Sequence, residues 1–307
     1  MRLRDVAELV RAPAALTVPG DSLAGAAAAG FPYGARTAVT PLASACLYWA
    51  GMALNDYADR DLDRVERPER PIPSGRVTPG EALGVATGLT AAGLGLAAVA
   101  GGRRALRVAV PLAAAVWTYD LVAKATPAGP LAMGAARGLD VLLGAGGRER
   151  AAALPALAVA THTVGVTVLS RGEVHGASPS SARVALGATA TAAALSAWPG
   201  SHGMPSWVGS GVRARNERGG RGRHPVGGRP TALAAAGAYL ATVGKAQLDA
   251  ARTPDAATVR SATGAGVRGV IPLQSALLAK TGAVALAAAV VGIGPAVRAL
   301  SKVVSPT

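Results

Sequence analysis

The chain has 307 residues, 50% of them hydrophobic and only 16% charged, with a mean hydropathy of +0.34. That composition belongs to a membrane protein rather than to a charged soluble domain. A formal net charge of +14 reads as adaptation to anionic lipid rather than as a nucleic-acid signal, and a single cysteine, Cys46, excludes an intramolecular disulfide.

The charges are segregated along the chain. Residues 37–54, 82–102, 151–170, 184–212, 230–244 and 281–297 carry no Asp, Glu, Lys or Arg, and 12–35 carries only Asp21. A bilayer crossing takes about 20 such residues. The runs predict nine spans, near 8–30, 37–55, 82–101, 106–123, 130–147, 152–170, 182–199, 231–248 and 270–292. Many are rich in Ala and Gly, which suits closely packed transmembrane helices. The competing reading is an Ala-rich soluble helical bundle. The expected fold class is therefore all-α, a polytopic membrane protein forming one domain over residues 1–307.

The start, Met1-Arg2-Leu3-Arg4-Asp5, is too charged for a cleavable signal peptide and leads straight into the first span. Within that span Asp21 follows a helix-breaking Pro19-Gly20, a setting that predicts a side chain facing the opposite interface. The second span ends in Asn55-Asp56-Tyr57-Ala58-Asp59-Arg60-Asp61-Leu62-Asp63. At 100° per residue Asp56, Asp59 and Asp63 fall within about 60° of one another, and Asp61 points away. Three carboxylates on one face repel each other, an arrangement tolerated when a hard cation such as Mg²⁺ sits among them with a phosphate-bearing ligand. The plain alternative is a solvated acidic helix end. Next comes Arg64-Val65-Glu66-Arg67-Pro68-Glu69-Arg70-Pro71-Ile72-Pro73-Ser74-Gly75-Arg76, whose prolines forbid helix and whose arginines offer forked donors to phosphate oxygens.

Asn-Asp-x-x-Asp-x-x-x-Asp followed by Arg-Pro-Ile-Pro-Ser-Gly-Arg resembles the UbiA family of intramembrane prenyltransferases. The resemblance implies a helical bundle around a central cavity, in which Asp56, Asp59 and Asp63 hold Mg²⁺ against the diphosphate of a polyprenyl donor. Asn55, Arg70 and Arg76 would bind the same substrate. It reaches back to Glu8-Leu9-Val10-Arg11-Ala12-Pro13, implying that Arg11 approaches the active site. Tyr119-Asp120-Leu121-Val122-Ala123-Lys124 ends the fourth span and is similar to the family's Tyr…Lys pair, so Lys124 would bind diphosphate and Tyr119 would line the pocket. An interfacial tyrosine and a snorkelling lysine are also ordinary at a membrane boundary.

Arg137 and Asp140, three positions apart in the fifth span, face the same way and can pair, as a structural or a substrate-binding couple. After the sixth span the family pattern calls for a second aspartate motif. Here the chain reads Leu169-Ser170-Arg171-Gly172-Glu173-Val174-His175-Gly176, with one carboxylate. Glu173 is the candidate for a single ion or for the acceptor's proton, with His175 beside it able to titrate near neutrality. This run, with Val267-Arg268-Gly269-Val270-Ile271-Pro272-Leu273-Gln274, looks like the divergent EboC-like branch of the family.

Residues 200–230 are rich in Gly, Pro and Arg and are expected to be a disordered basic insertion. Only Trp207 accompanies the arginines, so lipid headgroups suit them better than nucleic acid. Six arginines there leave the positive-inside count undecided, and orientation rests partly on the resemblance. The implied activity is Mg²⁺-dependent transfer of an isoprenoid from a polyprenyl diphosphate to a small hydrophobic, aromatic or otherwise electron-rich acceptor, in a multi-pass protein of the cell membrane. The alternatives are a non-catalytic carrier of isoprenoid or lipid diphosphates, favoured by the missing second motif, and a transporter, for which no inverted repeat is found.

Overall fold

The computed structural model describes residues 1–12, 18–30, 35–198 and 228–292, and every element in them is helical, with no strand. Most of the predicted insertion, 200–227, lies outside the described residues.

The first predicted span resolves into two helices, α1 (Leu3–Leu9) and α2 (Pro19–Ala28). The chain leaves α1 where Arg11 takes a φ of 47°, and α2 begins on a proline suited to a helix's first turn. α3 (Ala35–Ala58) carries the acidic end, and α4 (Arg60–Glu66) follows after the single turn residue Asp59. α5 (Pro79–Thr118) opens on a capping box in which Thr78 Oγ1 accepts from the Glu81 amide and Glu81 accepts from the Thr78 amide. Inside α5, Gly102 has φ 58° and ψ −143°, so the 40-residue element is two helices meeting where the sequence separates the third and fourth spans.

α5 runs into a π-helical segment, Tyr119–Ala123, followed by α6 (Gly129–Gly144), a 3₁₀ turn (Glu149–Ala152), α7 (Ala153–Ser170) and α8 (Pro179–Ala197). Next are α9 (Gly228–Tyr239), a second π segment (Leu240–Gly244), α10 (Lys245–Arg252) and α11 (Ala256–Lys280). The last predicted span is misplaced. α11 begins at Ala256, where Asp255 accepts from the amides of Ala257 and Thr258 at 2.9 and 3.0 Å. The helix stops at a turn in which Gly282 has φ 89°, and helix resumes over 284–292. Arg260 and Arg268 both lie within the helix, and Arg260 reaches across to the Glu173 carbonyl.

Among the described residues two helical stretches are long and apolar enough to cross a membrane, Pro79–Ala123 and Glu149–Ser170. Val99, Val110, Leu131, Leu157, Val184 and Leu233 point outward, each more than half exposed, as lipid-facing side chains would. The core is built by close approach of small residues. α2 and α6 press together so tightly that a Cβ on Gly25 would lie 1.8 Å from the Val141 carbonyl oxygen, and one on Gly144 would lie 1.8 Å from that of Ser22. Only glycine fits at these two contacts. They carry Asp21 into the bundle, where it is fully buried instead of facing an interface.

Candidate functional site

At the end of α3 the i→i−4 hydrogen bonds continue through Asp59, with Asp59 N to Asn55 O at 2.9 Å and Asp63 N to Asp59 O at 2.8 Å. The acidic positions therefore keep close to their helical spacing. Asp56 and Asp63 are buried, and one nitrogen, Nη1 of Arg70, lies 3.3 Å from Asp56 Oδ1 and 2.6 Å from Asp63 Oδ2. Arg11 donates to the same Asp56 oxygen at 2.8 Å. Asp59 instead faces Lys124, with which it forms an ion pair. Asp61 is exposed and meets only Arg60 and Arg64.

The three aspartates are thus met by four cations, Arg11, Arg67, Arg70 and Lys124, of which Arg67 is the most distant at 3.9 Å from Asp63 Oδ1. Among the described residues no group of three His, Cys, Asp or Glu side chains is gathered to hold a metal ion. Two of the predicted ligands do converge on one positive centre, however. Paired carboxylate oxygens are the donors a hard divalent cation takes, so Asp56 and Asp63 fit such an ion at the place Arg70 holds.

Tyr119 and Lys124 are set by the π segment, in which the Lys124 amide bonds back five residues to the Tyr119 carbonyl at 2.9 Å. Such single-turn widenings re-aim side chains and recur at functional sites. Asp120 belongs to the same turn: it is buried and accepts from Asn55 Nδ2 at 3.1 Å. Its place beside Tyr119 was the only sequence signal for it. Arg171 was equally missed as a site residue. Its guanidinium bonds the carbonyls of Lys124 and Thr126 and so buttresses the end of the π segment.

A cavity of about 250 Å³ leads inward from this cluster. Tyr119 and Asp120 line one part of it, Ser44, Arg137 and Asp140 another, and Val18, Leu47, Tyr48, Met52, Leu112, Val116, Met133 and Ala136 complete the wall. On α3, Ser44, Tyr48, Met52 and Asp56 recur every fourth residue, a single stripe joining the cavity to the acids.

Two expectations need correcting. Arg137 does not pair with Asp140: its Nε lies 2.9 Å from Asp21 Oδ2, because the glycine contacts carry α2 against α6. Asp140 accepts instead from Ser44 Oγ at 2.6 Å. Arg76 does not join the acids either. All its donors are committed, to Glu8 at 2.7 and 2.9 Å, Asp5 at 3.2 Å, Ser74 at 3.0 Å and the Glu69 carbonyl at 2.7 Å. The Arg2 amide and the Arg76 guanidinium hold the Asp5 carboxyl below its usual range. Arg76 is thus a clamp fastening α1 to the proline-rich segment. Arg76→Gln should lower stability by about 1 kcal/mol, roughly 2 °C in a melting experiment, because these pairs are part-exposed. Diphosphate binding should stay within about twofold of wild type.

Glu173 offers its backbone carbonyl to Arg260 at 2.9 Å, and among the described residues its carboxylate forms no ion pair. His175 is exposed. The contacts Asp59 to Lys124, Arg171 to the Lys124 carbonyl, and Arg260 to the Glu173 carbonyl tie the ends of α3, α5 and α7 and the start of α11 together at one end of the bundle.

The family model for the UbiA prenyltransferase family matches residues 15–210. Among curated proteins, the chain is 40% identical over 89 residues to a digeranylgeranylglyceryl phosphate synthase of Methanopyrus kandleri, covering 29% of this chain and 32% of that one. It is 44% identical over 98 residues to the protein of the same name from Ignicoccus hospitalis, covering 31% and 32%. It is also 45% identical over 62 residues to a 4-hydroxybenzoate octaprenyltransferase of Burkholderia pseudomallei, covering 20% and 22%. These matches span less than a third of the length of each curated relative. Among solved structures, a UbiA homologue from Aeropyrum pernix superposes with a TM-score of 0.62 at 19% identity, over 86% of this chain and 96% of that one. One from Archaeoglobus fulgidus, bound to DMAPP and Mg²⁺, gives 0.51 at 14% identity, over 63% and 77%. At such identities the likeness establishes the fold alone.

Proposed function

The chain belongs to the UbiA prenyltransferase family, and from that premise we propose that it transfers an isoprenoid group from a polyprenyl diphosphate to a small, electron-rich acceptor inside the membrane. The observation that carries the reading is the convergence of Asp56 and Asp63 on one cationic centre, Arg70, with Arg11 on Asp56 and Lys124 on Asp59, beside a cavity lined by Met52, Tyr119 and Asp120.

In this reading Asp56 and Asp63, with Asp59 beside them, would hold Mg²⁺, which would supply the positive charge that makes the diphosphate a good leaving group. The Archaeoglobus fulgidus homologue is bound to DMAPP and Mg²⁺, which supports that assignment by analogy. Arg70, freed from its bridge, and Arg11 and Lys124 donate to the phosphate oxygens, where forked and point-charge donors complement each other. Asn55 orients Asp120, and the π segment keeps Tyr119 and Asp120 turned into the cavity, where the allylic carbon would lie once its bond to the leaving oxygen breaks. Walls of Val, Leu, Met and Ala exclude water from that carbon. A multi-pass arrangement, with the acids, Lys124 and the Glu173 turn at one end, is supported by the contacts that tie those segments together and by the outward apolar side chains.

Transfer is tested on the purified chain in detergent or nanodiscs, with Mg²⁺, labelled geranylgeranyl diphosphate and a panel of acceptors. Acceptor-dependent pyrophosphate release and a prenylated product are expected. The lone carboxylate at Glu173 favours a second reading, a carrier that binds the diphosphate without cleaving it. Saturable, Mg²⁺-dependent donor binding with no pyrophosphate released under any acceptor would establish that reading instead.

A further inference from the structure

The geometry points to the inner part of the cavity, around Asp140, as a seat for a hydrogen-bond-donating group of the acceptor, a hydroxyl or an ammonium, and as a filter against anionic acceptors. It rests on the prenyl-transfer reading only for the word acceptor; the binding site stands on its own contacts.

Asp140 is 5% exposed and lines the cavity. Ser44 Oγ donates to its Oδ2 at 2.6 Å, while Oδ1 is buried with no hydrogen-bond partner among the described residues. A buried carboxylate oxygen without a donor is costly, and more so inside a membrane bundle. Arg137, the one cation among the cavity-lining residues, is already engaged by Asp21, at 2.9 Å. Asp21 is itself fully buried and fixed by the Gln274 amide at 2.7 Å. One guanidinium therefore stands beside two carboxyl groups and pairs with only one of them, which leaves Asp140 without a cation of its own. A ligand presenting O–H or N–H to Oδ1 satisfies that oxygen. A carboxylate or phosphate meets repulsion there, and a bare isoprenoid tail leaves the oxygen unpaired.

Position agrees with a head group held away from the chemistry. Twelve residues of α3 separate Ser44 from Asp56, about 18 Å along the helix axis. A diphosphate at the acids and a polar head at Asp140 thus leave the middle of the cavity, at Tyr48 and Met52, for the two reacting centres.

The test uses three phenols that differ only in the group opposite the ring hydroxyl: 4-(hydroxymethyl)phenol, 4-(aminomethyl)phenol and 4-hydroxybenzoate. Their binding to the full chain in nanodiscs is measured by equilibrium dialysis without any prenyl donor. The alcohol or the amine should bind at least about tenfold more tightly than the benzoate, and whichever leads tells a neutral donor from a cation. Asp140→Asn should erase the preference, and Ser44→Ala, which keeps the carboxylate, should retain it. Equal binding of all three phenols, a preference for the benzoate, or an unchanged ranking in Asp140→Asn would overturn the proposal, and the wild-type ranking decides even if a variant fails to fold. Pyrophosphate release is followed in parallel with the same probes. The expected ranking with no release sinks prenyl transfer and leaves this site standing, whereas release driven best by 4-hydroxybenzoate does the reverse.

Discussion

Asp56→Asn and Asp63→Asn should each lower Mg²⁺-dependent turnover by about 10³-fold, roughly 4 kcal/mol of lost stabilisation of the departing diphosphate. The effect is large because each carboxylate serves twice. In the structure Asp56 balances both Arg11 and Arg70, and Asp63 anchors Arg70 at 2.6 Å. In the proposed loaded state the same two carboxylates would hold the ion that offsets the leaving group's charge. An amide keeps the shape but not the charge, and only its oxygen, not its NH₂, can accept from arginine. Asp61→Asn is the control: that side chain is exposed, paired only with neighbouring arginines, and its loss should leave turnover unchanged. Titration of labelled geranylgeranyl diphosphate with and without Mg²⁺ gives the binding part of the effect. Wild-type Mg²⁺-dependent binding in both variants would remove the assignment.

Gly144→Val should prevent the bundle from closing, at a cost above about 3 kcal/mol, beyond the usual range for an overpacked core. Even the first added carbon would sit 1.8 Å from the Ser22 carbonyl oxygen, whereas ordinary contact begins at 3.4 Å, so α2 and α6 would have to part by about 1.6 Å (3.4 less 1.8). The obstacle is helix backbone, which cannot rotate aside as a long side chain can. Parting the helices also pulls Asp21 off Arg137 and strands two opposite charges in an apolar interior. The expected result is a protein that aggregates in detergent or melts far below wild type. Gly187→Ala is the matched control, since a Cβ there meets nothing within 4 Å.

The spacing of the acidic run was legible in the sequence because i→i−4 hydrogen bonds on both sides of Asp59 carry the helical register from α3 into α4. The break at Gly102 was legible too, since two charge-free stretches part just beyond it. What escaped depends on contacts between distant segments. Asp21 looked like an interfacial residue after Pro19-Gly20, and nothing local revealed that Gly25 and Gly144 bring it to Arg137. Arg76 sits in the same motif as Arg70 and looks equivalent by type. Only the packing of α1 assigns one to the carboxylates of α1 and the other to the acids of α3. The start of α11 was missed as well: the last predicted span begins at 270, whereas the helix begins at Ala256 and its Arg260 is a tether to the turn after α7.

The four-residue recurrence of Ser44, Tyr48, Met52 and Asp56 makes the length of α3 as binding as its composition. Deleting one residue anywhere between Ser44 and Asp56 would turn one end of the stripe by about 100° relative to the other, sending either the polar head site or the acids toward lipid. Evolution can therefore exchange side chains along this helix far more freely than it can tolerate single-codon gains or losses, and relatives built on the same plan should keep the interval between the two ends fixed.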